Sequence, residues 1–145
     1  MKIRINGKLG IKASGQIAHD KGLLPGGHVQ KTIDNEVIKQ IEPFVPRRDG
    51  GGYLAEDAFM STIIGSGLIH QNGPYARFQD GGKVMIYEPT GSTWAPKYGA
   101  KVLTDRDLKY NGAPQRGAHY FRRMKEARGE VILGVAQKEL ERGKR

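Results

Sequence analysis

Cysteine is absent from this 145-residue chain, which removes disulfide frameworks, cysteine-ligated zinc and thiol nucleophiles together. The absence fits a reducing compartment. Long apolar runs are absent too. The longest, Val131–Ala136, is interrupted by Gly134, whereas a membrane span needs about 20 apolar residues. The opening Met1-Lys2-Ile3-Arg4-Ile5-Asn6 alternates apolar and charged side chains, which is not a signal-peptide pattern. A protein neither secreted nor inserted in a membrane is expected. Hydrophobic residues make up 37% and glycine adds a further 21 of the 145 residues, so the apolar share with glycine counted is ordinary but much of it carries no side chain to bury. A chain with so little to bury is expected to lean on a partner's surface.

Catalytic signals are scarce as well. His19, His28, His70 and His119 are isolated, with no pair at the spacing of zinc ligands. Gly50-Gly51-Gly52 lacks the Lys-Ser/Thr of a phosphate loop, and Gly26-Gly27 lacks a preceding strand. Ser14, Ser61, Ser66 and Ser92 sit in no Gly-x-Ser-x-Gly context. Asp105 and Asp107 form an Asp-x-Asp that can hold Mg²⁺ beside a phosphate. Beside Arg106 and Lys109, in a polar loop, they read more simply as solvated carboxylates. A nuclease would need carboxylates clustered round a divalent ion. Asp34 and Glu36 flank a helical stripe and are expected to face solvent. No catalytic, cofactor-binding or metal-binding constellation emerges, so a non-enzymatic role is expected.

What the chain does have is basic charge and backbone punctuation. Lys+Arg is 24 against Asp+Glu 15, a net charge of +9. The charge is uneven. Residues 1–31 carry 6 basic and 1 acidic side chains and residues 116–145 carry 9 and 4, whereas residues 32–72 carry 3 and 6. This pattern suits a solvated surface with a basic tail, or a surface that meets a polyanion or the acidic face of a neighbouring subunit. The 21 glycines and 7 prolines predict many turns and short elements.

Periodicity organises the rest into one domain, residues 1–145. Residues 2–6 alternate as a strand, and a short helix is expected over about 13–21. From His28 to Ile41, Val29, Ile33, Val37 and Ile41 recur every fourth residue, the mark of an amphipathic helix, and Pro43 and Pro46 stop it. Residues 53–58 suggest one helical turn. Phe59–Ile64 and Gly67–Gln71 are β-prone and read as a hairpin round Gly65-Ser66-Gly67. Tyr75–Asp80 suggests a helical turn and Lys83–Tyr87 a strand. Residues 89–117 form a long irregular loop, a length that is often functional. A second long helix spans about 118–141, with Phe121 and Met124 on its apolar face. The expected fold is α+β, with about four short, mainly antiparallel strands packed on one face by two amphipathic helices. Tyr75-Ala76-Arg77-Phe78 and Tyr120-Phe121-Arg122-Arg123 could stack bases and grip phosphates. The simpler expectation is that Tyr75, Phe78 and Phe121 fill the core while the arginines lie outside.

Three runs together resemble a known family. They are Gly26–Ile38 with Pro43-Phe44-Val45-Pro46, then Gly73-Pro74-Tyr75-Ala76-Arg77-Phe78-Gln79, then Tyr120-Phe121-Arg122-Arg123-Met124-Lys125. In order and spacing the chain is similar to minor capsid proteins of tailed bacteriophages, grouped with neck or tail-completion proteins. That family's Thr-Gly-x-Leu loop corresponds here to Gly51-Gly52-Tyr53-Leu54, and Phe44 replaces a tyrosine. The resemblance implies a virion component at the head–tail connection, present in the host cytoplasm during assembly. Its partners would be other copies in a ring, portal or connector proteins, stopper and tail-terminator proteins, and DNA passing through a lumen. Scaffold positions would be Val29, Ile33, Val37, Ile41, Pro46, Pro74, Tyr75, Phe78, Phe121 and Met124. Partner or DNA contacts would fall on Arg47, Arg48, Arg122, Arg123, Lys125 and Arg128. The alternative is a small basic nucleic-acid-binding module.

Overall fold

The stripe Val29, Ile33, Val37 and Ile41 does build one helix. The computed structural model describes residues 11–47, 53–73 and 75–143. Two helices, α1 (Ile11–Asp20) and α2 (His28–Ile41), occupy the first third of the chain as expected. Between them the chain reverses through Gly22, whose φ of 69° is left-handed. The Gln30 amide donates to Gly22 O at 3.1 Å. A Cβ on Gly27 would stand 2.3 Å from that same carbonyl oxygen, so only glycine fits there. The strand expected at residues 2–6 lies outside the described residues, as do Arg48 and Pro74.

Pro43 ends α2 by starting a 3-10 turn, Glu42–Phe44, where its missing N–H costs nothing. The turn drives Phe44 and Val45 into the core, where they meet Ile41, Tyr120 and Met124. Val37, Leu54, Ala55 and Ile132 pack against this cluster. It lies between α2 and α5 (Tyr120–Arg142), with α3 (Tyr53–Ser61) against α2. The two long helices run antiparallel, because the end of α2 meets the start of α5 while His28 lies beside Gly143. Arg116 ties the exit of α2 to the later chain. Its Nη1 donates to Glu42 O at 2.8 Å and Val45 O at 2.6 Å.

The expected hairpin at 59–71 is not formed. Phe59 and Met60 belong to α3, which continues to Ser61, and residues 62–73 form no strand. Ala58 is buried, and the Ser61 hydroxyl donates to Asp57 Oδ1 one turn back at 2.9 Å, so the helical period wins over local β-propensity. Side chains then pin the irregular segment. Asp34 Oδ2 accepts from the amides of Gly65 at 2.7 Å and Gly67 at 3.1 Å. Thr62 Oγ1 accepts from His70 N at 3.0 Å, and Asp57 Oδ2 from Gly73 N at 2.8 Å. The Tyr120 hydroxyl donates to Gln71 Oε1 at 2.6 Å, while Gln71 Nε2 donates to Leu54 O. The expectation that Asp34 and Glu36 face solvent is therefore corrected. Asp34 is 2% exposed, and Glu36 is largely covered while accepting from Gln40 Nε2.

The α+β class holds, with a smaller sheet and a different layering. Among the described residues the sheet has two antiparallel strands, β1 (Lys83–Ile86) and β2 (Val102–Asp107). Lys83 pairs with Asp107, Met85 with Leu103 and Ile86 with Val102, with a bulge between Lys83 and Met85. The two long helices pack on each other rather than on this ribbon, whose helical neighbour is the short α4 (Ala76–Gly81). The long loop expected at 89–117 is broken by β2.

Candidate functional site

The segments pinned by side chains leave a groove beside them. α3 turns Ala58 inward, so Glu56, Met60 and Phe59 face out. The Asp57–Gly73 hydrogen bond brings Gly73 and the 75–79 stretch alongside. There Tyr75 precedes the first turn of α4, and Gly82 ends that helix at a φ of 75°. The Tyr110 hydroxyl donates to Gln79 O at 2.6 Å, and Leu108 N donates to Gly82 O at 2.9 Å, which fixes the base of the ribbon against the same wall. The result is a groove of about 740 Å³ walled by Leu54, Met60, Tyr75 and Tyr110, with Glu56 and Lys109 at its rim. A second groove of about 630 Å³ adjoins it through Arg47, Glu56 and Met60, over Ile38 and Phe59. The Arg47 guanidinium is 2.8 Å from Glu42 Oε1, a carboxylate also reached by Arg116 at 3.2 Å.

Beyond its base the ribbon stands apart from the helices. The Tyr87 amide donates to Ser92 O at 2.7 Å and closes a turn through Gly91. Thr104 Oγ1 donates to Val84 O at 2.8 Å, and Lys83 Nζ lies 2.6 Å from Asp107 Oδ1. The hydrogen bond and charge of Asp107 raise the Lys83 pKa. Trp94 is 71% exposed and Tyr98 93%. Comparison with protein-family models, curated proteins and solved structures finds no match.

The scaffold expectations divide. Val29, Ile41, Met124 and Pro46 are buried, and Ile33, Val37 and Phe78 are half-buried. Tyr75 and Phe121 are corrections: at 63% and 45% exposure neither fills the core. Tyr75 faces the open groove instead, and the core place beside Met124 is taken by Tyr120. Of the cationic candidates, Arg47, Arg122, Lys125 and Arg128 are exposed. Arg123 is a further correction, because its side chain folds back onto the preceding turn. It donates to Ala118 O, Pro114 O and Gln115 O at 2.9 to 3.0 Å and lies over the Phe44 ring. The Asp-x-Asp pair lies on β2, where Asp107 is committed to Lys83. No three metal-ligating side chains converge among the described residues. No described helix is long and apolar enough to cross a membrane.

The residues missed in the sequence are Met60, Phe59 and Ile63, read as part of a β-prone run but lying mostly exposed on and after α3. The usable signal is the helical spacing of Ala55 and Ala58, which sends Met60 to the opposite side and leaves Phe59 at the edge of the buried face.

Proposed function

We propose that this protein is a non-enzymatic structural component of a tailed-phage virion at the head–tail connection, assembling with copies of itself in a ring and docking to connector, stopper and tail-terminator proteins. The observation that carries the reading is the large apolar side chains left in solvent. Phe59, Met60 and Ile63 are exposed on and after α3, and Trp94, Tyr98 and Leu103 on the ribbon. Exposed apolar groups concentrated in patches mark interaction surfaces. Two separate groups of exposed apolar side chains on one chain suit the head-to-tail contacts that close a ring. The order of the Val-Gln helix, the Pro-Tyr-Ala-Arg turn and the Phe-x-Arg-Met-Lys helix supports the placement in a phage neck. The test is the mass of the assembled species by sedimentation, alone and with connector proteins, together with the protein content of virions. Concentration-dependent rings and presence in the particle are expected. A strict monomer that is missing from virions ends this reading.

A second reading, a basic nucleic-acid-binding module, is favoured by Arg122, Lys125 and Arg128, which are exposed on α5. It requires DNA or RNA binding that weakens steeply with salt. Absence of binding at about 50 mM salt removes it, since cation–phosphate contacts are strongest at low ionic strength.

A further inference from the structure

We infer that the ribbon tip round Trp94 and Tyr98 of one copy seats in the groove between α3 and the 75–79 stretch of the next copy. This rests on the assembly reading above and adds the two surfaces that meet. The tip is built to face outward. Tyr98 has a φ of 71°, a left-handed backbone that bulky residues rarely adopt, and Lys97 Nζ lies 5.3 Å from the centre of its ring. β2 is exposed along its length except at Thr104, and a two-stranded ribbon is marginally stable in water without further cover.

The groove has matching properties. Leu54, Met60 and Tyr75 give it apolar walls, with a methionine that can re-pack round an inserted ring. Trp and Tyr are the side chains that most often anchor such contacts. The charges are complementary. Arg47 is held by Glu42, and Asp57 by Gly73 and Ser61. The rim charges without an ion-pair partner among the described residues are Glu56 and Lys109, and those of the outer ribbon are Lys97, Lys101 and Glu88. Each rim charge thus finds its opposite on the tip.

A chain cannot fill its own groove this way. Lys109 and Tyr110 line the groove at the base of the ribbon. From there the six residues of β2 carry the chain away by roughly 20 Å before the tip begins. The tip therefore reaches a neighbour, and the contact is heterologous.

Trp94 is the only tryptophan and there is no cysteine, so two clean probes exist. Sedimentation and tryptophan emission are followed together over a concentration series. The expected result is an emission shift to shorter wavelength that tracks association. Met60→Lys, at a position 79% exposed, should leave melting unchanged and weaken association by about tenfold or more. Mixing Tyr98→Cys with Met60→Cys protein should give an inter-chain mixed disulfide. Association without a shift in Trp94 emission and without the mixed disulfide overturns this seating and leaves the ring reading standing. No association at any concentration overturns both.

Discussion

Between α2 and α5 an apolar side chain meets other side chains, whereas along β2 and the loop before it a large apolar side chain meets water. Ile41, Val45 and Met124 are almost inaccessible, and the buried Asp34 beside them on α2 is fully occupied by amides from the 65–67 turn and by Gln30. On the ribbon, Leu103, Trp94 and Tyr98 are open, and the strands are held by their ladder, by Thr104 on Val84 O and by an exposed ion pair. The apolar content is thus not spread evenly. Much of it is gathered in the helical body, while much of the remainder is left exposed.

The sharpest way to break this contrast is to cut both regions by the same amount. Met124→Ala should cost about 2–5 kcal/mol, the usual range for a large core residue. Val37→Asp should cost at least as much, by placing an unpaired charge against the core cluster. Leu103→Ala should stay within about 0.5 kcal/mol in the isolated chain. Urea midpoints at constant slope measure all three. Equal losses at Met124 and Leu103 would mean that ribbon and body share one core, and the contrast would fail.

Asp34 tests whether polar groups hold the body as firmly as apolar ones. Asp34→Ala strands the buried amide of Gly65, which costs roughly 1–3 kcal/mol, and removes the hydrogen bond to the exposed Gly67, worth about 1 kcal/mol. A loss of about 2–4 kcal/mol is expected, with faster hydrogen exchange across residues 62–73. Asp34→Asn keeps an acceptor and should recover part of the loss. A neutral Asp34→Ala would show that the irregular segment is held by something else.

The body should also carry an alkaline signature. Burial, and then the nearby carboxylates of Asp80 and Asp57, push the Tyr120 hydroxyl up to about 12 from 10. Unfolded, the phenol ionises near 10. Between these values the folded state binds the extra proton, so the contribution of Tyr120 to stability is constant below pH 10 and is lost as pH rises towards 12. Tyr110, raised chiefly by burial, adds to the same slope. Tyr120→Phe should flatten this limb. It should also cost about 1 kcal/mol at neutral pH through loss of the hydrogen bond to Gln71. An unchanged alkaline limb in Tyr120→Phe would show that another group dominates it.

Local signals were legible in the sequence and non-local ones were not. α2 was readable because a four-residue apolar repeat and Pro43 act within a few residues of each other, and β1 because its apolar run meets Pro89 soon after. Asp34 was misread because its partners are 31 and 33 residues away, so no helical wheel shows them. Phe121 reads as core from its spacing to Met124 and Tyr75 from its aromatic ring, but Tyr120, equally well spaced one turn before Met124, takes that place with its hydroxyl on Gln71. Arg123 looked free until the 114–118 turn was seen to offer it three carbonyls. The groove draws Leu54, Met60, Tyr75 and Lys109 from three separate stretches, so no linear motif could announce it. Trp94 and Tyr98 were visible only as aromatics in a long loop.

The smallest expected effect lies at the base of the ribbon and bears on the idea that its two strands need outside cover. Lys83 and Asp107 face each other across the ladder at 2.6 Å, with 44% and 80% of their side chains exposed. Exposed pairs of this kind contribute little, because water and salt screen the attraction and ordering two side chains offsets it. Asp107→Ala should therefore leave the melting temperature of the isolated chain unchanged within error, while lowering the Lys83 pKa towards the ordinary lysine value, since Asp107 is what raises it. Nitrogen and proton resonances of Lys83 read that change directly. A clear drop in melting on Asp107→Ala would mean that this pair anchors the ribbon to the body, and the two regions would then be coupled more tightly than the exposed apolar surface between them implies.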